Sequence, residues 1–180
     1  MRIESNDTTA LLIDVQEKIY PHVTDNEKLM QRLNVLLKGL KVLDIPIITT
    51  QQYTKGLGET VEPLKDFVDS SLIIEKIDFS CCDENTFEGK LEDLGNKFVI
   101  ISGIEAHVCV LQTTIDLVES GYIPFVIEDC ISSRHLNDKS VAIERMRHEG
   151  VIVSTSESVL FELCKKAGTS TFKEISKLVK

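Results

Sequence analysis

Three residues in this 180-residue chain pair reactive chemistry with a position at the end of an apolar run: Asp14, Lys76 and Cys109. The stretch Phe98-Val-Ile-Ile-Ser-Gly-Ile-Glu-Ala-His-Val-Cys109 reads as a strand, a tight turn at Gly103 and the start of a helix over Val108 to Ser120. A thiol at a helix N-terminus lies among unpaired N–H groups and the positive end of the helix dipole. Its thiolate is then favoured, and the same N–H groups suit an oxyanion. A carboxylate such as Asp14 can take the thiol proton, and an ammonium such as Lys76 lowers the thiol pKa and steadies the anion. If their strands are parallel neighbours, the three side chains converge at one edge and make a cysteine nucleophile without a histidine. His107, two positions before Cys109, points away from it in a helix and reads as a hydrogen-bonded structural residue.

The elements that must position these groups alternate along the chain. Thr9 to Asp14 is predicted as a buried strand, and Glu27 to Leu43 carries Leu29, Leu33, Leu36, Leu37, Leu40 and Leu43 at helical spacing. Strand Ile45 to Thr50, the loop Gln51 to Thr60, a helical piece Val61 to Val68 and strand Leu72 to Lys76 follow. Next come helix Asn85 to Leu94, strand Lys97 to Ser102, helix Val108 to Ser120 and strand Ile123 to Glu128. Helix Lys139 to His148 stops at Gly150, ahead of strand Val151 to Ser154 and helix Glu157 to Lys165. The pattern predicts a three-layer α/β/α fold around a parallel, Rossmann-like six-stranded sheet, with ligands at the carboxyl ends of the strands. Gly56 and Gly58 suit a mobile lid over that end. No repeat or linker divides the chain, so residues 1–180 read as one domain, long enough to bury roughly 70% of its unfolded surface.

Composition narrows the partners. A formal net charge of −9 argues against nucleic acid, which would want a basic face, and the absence of Trp removes a common base-stacking group. The apolar runs are too short for a membrane span. Five cysteines without a CxxC pair, and no N-terminal signal segment, predict a reducing, cytoplasmic setting. His22, His107, His135 and His148 lack the spacing of a metal site, and no GxGxxG follows the first strand, so neither a metal nor another cofactor is expected.

Taken together, Leu11-Leu-Ile-Asp-Val-Gln16, Glu75-Lys-Ile-Asp-Phe-Ser80, Gly103-Ile-Glu-Ala-His-Val-Cys109, Arg145-Met-Arg-His-Glu-Gly150 and Thr155-Ser-Glu-Ser158 resemble the isochorismatase-like cysteine hydrolases over nearly the whole chain. The likeness is greatest to the isochorismatase-domain-containing branch. The resemblance implies that Asp14 is the general base, Lys76 its charge partner and Cys109 the nucleophile. It also implies a cis peptide between Ile104 and Glu105 that turns the N–H groups of Glu105 and Cys109 into an oxyanion hole. Nicotinamidases share the triad but carry an Asp-x-His metal motif where this chain has Gln51-Gln-Tyr-Thr54, and isochorismatase itself lacks the nucleophilic cysteine.

The expected activity is cofactor-independent hydrolysis of a small molecule at an amide-like carbon–nitrogen bond, through a thioester. Gln16, Tyr53 and Phe79, beside the triad positions, are expected to line the pocket. A nicotinamidase-like or isochorismatase-like hydrolase and a non-catalytic interaction protein on the same fold stand as alternatives. Thiol redox chemistry would need a resolving thiol, for which Cys130 is a sequence-level guess, while the adjacent Cys81 and Cys82 read as packing thiols. The resemblance and the amphipathic tail, with Phe172, Ile175, Leu178 and Val179 on one stripe, predict a homo-oligomer.

Overall fold

A computed structural model describes residues 1–180. Six strands, β1 (Thr8–Ile13), β2 (Ile47–Gln52), β3 (Ile73–Lys76), β4 (Phe98–Ile104), β5 (Ile123–Ser132) and β6 (Ile152–Ser154), form one sheet in the order β3-β2-β1-β4-β5-β6. All pairings are parallel. The order reverses beside β1, and every residue of β1 and β4 is buried, as expected of central strands covered on both faces.

The period of two along each strand sorts the core into two halves. Ala10 and Leu12 of β1, Ile100 of β4 and Phe125 and Ile127 of β5 pack under α1 (Asn26–Val42), α6 (Ser156–Cys164) and α7 (Ser170–Leu178). Leu11 and Ile13, with Ile48, Ile74, Val99, Ile101 and Val126, face α3 (Asn85–Leu94), α4 (Leu111–Glu119) and α5 (Leu136–His148). The remaining helix, α2 (Thr54–Leu57), is a single turn after β2. No helix is long and apolar enough to cross a membrane.

Three local expectations are corrected. The segment after β2 is tied down: Glu17 and Lys18 donate their N–H groups to the Glu59 and Leu57 carbonyls, and Gln16 bridges to Thr60. A lid free to swing on Gly56 and Gly58 does not match these bonds. Strand β5 runs to Ser132, past Glu128, because the register with β4 shifts between Ile101 and Gly103 and pairing resumes at Ile131. The tail stripe is covered within the chain, with Ile175 fully buried against the α1 and α6 side chains and the Phe172 ring centroid 5.9 Å from that of Phe161. It therefore supplies no physical reason for association.

Candidate active site

Asp14 follows β1 with a left-handed φ of 50°, uncommon for a non-glycine residue. By simple alternation it would continue the row of Ala10 and Leu12 toward α1. The left-handed step instead turns it toward the other face, where Thr50 donates a 2.7 Å hydrogen bond to Oδ1 and Lys76 Nζ sits 2.7 Å from Oδ2. Oδ2 accepts no fully aligned hydrogen bond, so it is charge-compensated with a lone pair still open.

Lys76 comes from the edge strand and reaches across β2. Its ammonium is wholly removed from solvent and donates to the carbonyls of Asp78 (3.0 Å) and Phe79 (3.2 Å). The loop that brings those carbonyls round is fastened to α4: Ser80 hydrogen-bonds Asp116, and the Cys81 N–H donates to Thr113 Oγ1 at 2.9 Å. Burial alone would lower the Lys76 pKa. The Asp14 charge, with smaller help from the Cys109 and Cys81 sulfurs, outweighs burial and holds it above the ordinary lysine value.

Cys109 lies in a wide helical turn, Ala106–Val110, that leads into α4. Gly103, paired with Ile13, makes the approach possible: a Cβ there would lie 2.1 Å from the Ile13 carbonyl oxygen, at a φ of 122°. The Ile104–Glu105 peptide is cis. Val108 and Val110, but not Cys109 between them, donate their N–H groups to the Glu105 carbonyl. The Glu105 carboxylate is held by Arg134, whose backbone N–H donates to Oε2 at 3.0 Å and whose Nε lies 3.1 Å from both oxygens.

The thiol itself corrects the sequence expectation. Burial pushes the Cys109 thiol up, and Asp14 pushes it further by charge and hydrogen bonding, against a smaller lowering by Lys76. Three physical reasons reverse the expected low-pKa thiolate: the side chain is nearly buried, the regular helix begins two residues later at Leu111, and the Lys76 charge is already matched by Asp14. The site thus sets the sulfur beside a carboxylate, with its pKa raised and not lowered.

Asp14, Cys109 and Glu105 share a pocket of about 160 Å³ with Gln52, Phe79 and the apolar walls Ile19, Leu57, Ile104 and Val108. Phe79 stands at its edge. Gln16 does not line it: its fully buried amide donates to the Gln52 and Gly58 carbonyls (3.0 and 2.7 Å) and accepts from the Gln52 N–H (2.8 Å). Tyr53 is half exposed, outside the lining, with its ring against Gly56. These two expected pocket residues are thus a brace and a surface group. Gln52 joins the lining beyond the expected residues, and the strand period signals it: Ile48, Thr50 and Gln52 share one face of β2, and the Cys109 thiol donates to Gln52 Oε1 at 3.3 Å.

His107 is hydrogen-bonded to Ser133 at 2.9 Å, as its structural reading required. Cys130 packs with the α1 side of the core whereas Cys109 belongs to the α4 side, so the sheet separates them and Cys130 cannot resolve an oxidised Cys109. No group of three or more His, Cys, Asp or Glu side chains is arranged to hold a metal ion.

An open parallel sheet with acid, amine and thiol gathered at its carboxyl edge defines a class of α/β protein with a cysteine-bearing pocket. The isochorismatase domain matches residues 8–158, and the chain belongs to the isochorismatase family. It is 37% identical to Isochorismatase family protein 1B of Dictyostelium discoideum over 181 residues, covering 97% of this chain and 87% of that protein. With Isochorismatase domain-containing protein 2 of Danio rerio the identity is 36% over 179 residues, covering 99% and 89%. Among solved structures it superposes on the MAR1 Ribonuclease from Caenorhabditis elegans with a TM-score of 0.93 at 37% identity, covering 99% of this chain and 92% of that one. The YcaC gene product from Escherichia coli, described as an octameric hydrolase of unknown specificity, gives a TM-score of 0.93 at 25% identity, covering 99% and 89%.

Proposed function

We propose that this chain is a cofactor-independent cysteine hydrolase of a small molecule, cleaving an amide-like carbon–nitrogen bond through a thioester. The observation that carries this reading is one small pocket lined by both Asp14 and Cys109, with the Lys76 ammonium buried behind its wall 2.7 Å from the Asp14 carboxylate. Asp14 takes the Sγ proton as sulfur attacks the carbonyl carbon. The N–H groups of Glu105 and Cys109 receive the oxyanion. On collapse the carbon–nitrogen bond breaks, and the proton on Asp14 passes to the leaving nitrogen. Water, deprotonated by Asp14, then attacks the thioester, the carbon–sulfur bond breaks, and the thiol recovers its proton as the acid departs. Lys76 keeps its charge throughout and steadies whichever anion is present, Asp14 or the sulfur.

The name of the Caenorhabditis elegans neighbour raises a ribonuclease reading. A phosphodiester polyanion would approach a chain of net charge −9 and a pocket lined by two carboxylates, which opposes that reading here. Assembly into a homo-oligomer is part of the proposal, supported by the octameric description of the Escherichia coli neighbour. Release of ammonia or amine from a panel of small amides tests the activity. Turnover lost in both Cys109→Ala and Asp14→Asn supports it; wild-type inertness toward the panel together with ribonuclease activity overturns it.

A further inference from the structure

The side chain of Gln52 has a fixed sense. Its Nε2 donates to the Ile77 carbonyl at 3.1 Å, and its backbone is held on both sides by the Gln16 amide. A flipped amide would set Oε1 against the Ile77 oxygen, two acceptors face to face. Oε1 is therefore the atom presented to the pocket, where the Cys109 thiol now donates to it at 3.3 Å. Once that proton has gone to Asp14, an acceptor lies beside the reacting sulfur with no donor. An N–H on the scissile group satisfies it; an ester oxygen would meet it as a second acceptor.

The rest of the pocket fixes the charge class. Asp14 is matched by Lys76 and Glu105 by Arg134, so no lining cation is free for an anionic substrate, and Ile19, Leu57 and Val108 are apolar. We propose that Gln52 is the specificity-determining residue of this site, its Oε1 accepting an N–H of the leaving group, and that the substrates are small neutral carboxamides keeping at least one hydrogen on nitrogen. This rests on the hydrolase reading above.

The test compares acylation of Cys109, read by intact mass after acid quench, for butyramide, N-methylbutyramide, N,N-dimethylbutyramide and methyl butyrate. Wild-type protein should be acylated by the first two amides and at least about tenfold more slowly by the dimethylated one, the scale of a lost hydrogen bond in a closed site. Gln52→Met, of similar length but without the acceptor, should lower the butyramide rate relative to the methyl butyrate rate by about tenfold or more. An unchanged amide-to-ester ratio in a folded Gln52→Met protein overturns the role of Gln52 and leaves the hydrolase reading standing. Equal wild-type rates for butyramide and its dimethyl derivative do the same without any variant. No adduct from any of the four overturns both readings.

Discussion

Lys76 and Asp14 form an ion pair at 2.7 Å, the lysine arriving from the edge strand and the aspartate from the strand two places inward. Both side chains are almost completely removed from solvent, so each charge depends on the other. Removing one partner of such a pair leaves a buried charge uncompensated, at a cost of about 3–5 kcal/mol. Lys76→Met should lose stability on that scale in urea unfolding, and Lys76→Met combined with Asp14→Asn should recover part of it. A double variant weaker than the sum of the two single changes would contradict the pairing.

Stability should fall as the solution becomes alkaline. Lys76 is held above its ordinary value, so its contribution is complete below about 10.4 and is lost as pH rises through its folded pKa. Burial pushes the Cys81 and Cys82 thiols up to about 12, whereas unfolded thiols ionise near ~8.5. Unfolding between those values releases protons, so the folded state weakens with rising pH. The urea midpoint at pH 10 should lie below that at pH 7.5, with a smaller drop in Cys81→Ala. A flat profile would count against the buried thiols.

Asp14→Asn should separate reactivity from turnover. Asp14 raises the Cys109 thiol pKa by charge and hydrogen bonding, so removing the charge should lower it. Alkylation of Cys109 by iodoacetamide at pH 8.5 should rise by about tenfold, the effect of one pKa unit, while amide turnover disappears for want of a base. Site-resolved mass spectrometry measures the first effect. Slower alkylation in the variant would mean that Asp14 stabilises the thiolate instead.

The positions of Asp14 and Lys76 could be read from the sequence because each ends a strand and a parallel sheet sends such ends to one edge; Cys109 joins them from the helical turn that follows β4. The state of the thiol could not, since it depends on how deeply Cys109 is covered and on which partner holds Lys76. In the sequence Gln52 marks only the absence of a metal ligand; its place beside the thiol follows from a register in which Gln52 lies beside Lys76 and from the Gln16 brace across the loop. The tail shows the same limit. The period of Phe172, Ile175 and Leu178 marks an apolar stripe, but only the packed fold shows that α1 and α6 cover it.

Gly103 and Gly89 should respond in opposite ways to alanine. At Gly103 the new methyl would overlap the Ile13 backbone at a φ that side chains rarely adopt, so Gly103→Ala should cost more than about 4 kcal/mol or prevent folding. Gly89 lies inside α3 with nothing near its Cβ position, and Gly89→Ala should stabilise by about 0.5–1 kcal/mol. Thermal or urea unfolding of the two variants checks both signs.

Trapping the intermediate bears most directly on the central claim that Cys109 is the nucleophile and Asp14 its base. A turned-over amide mixed with wild-type protein and quenched in acid within one turnover should add the mass of the acyl group to the peptide carrying Cys109. The adduct should be absent in Cys109→Ala and strongly reduced in Asp14→Asn. Steady turnover by Cys109→Ala, or an acyl group found on any other residue, would contradict the account.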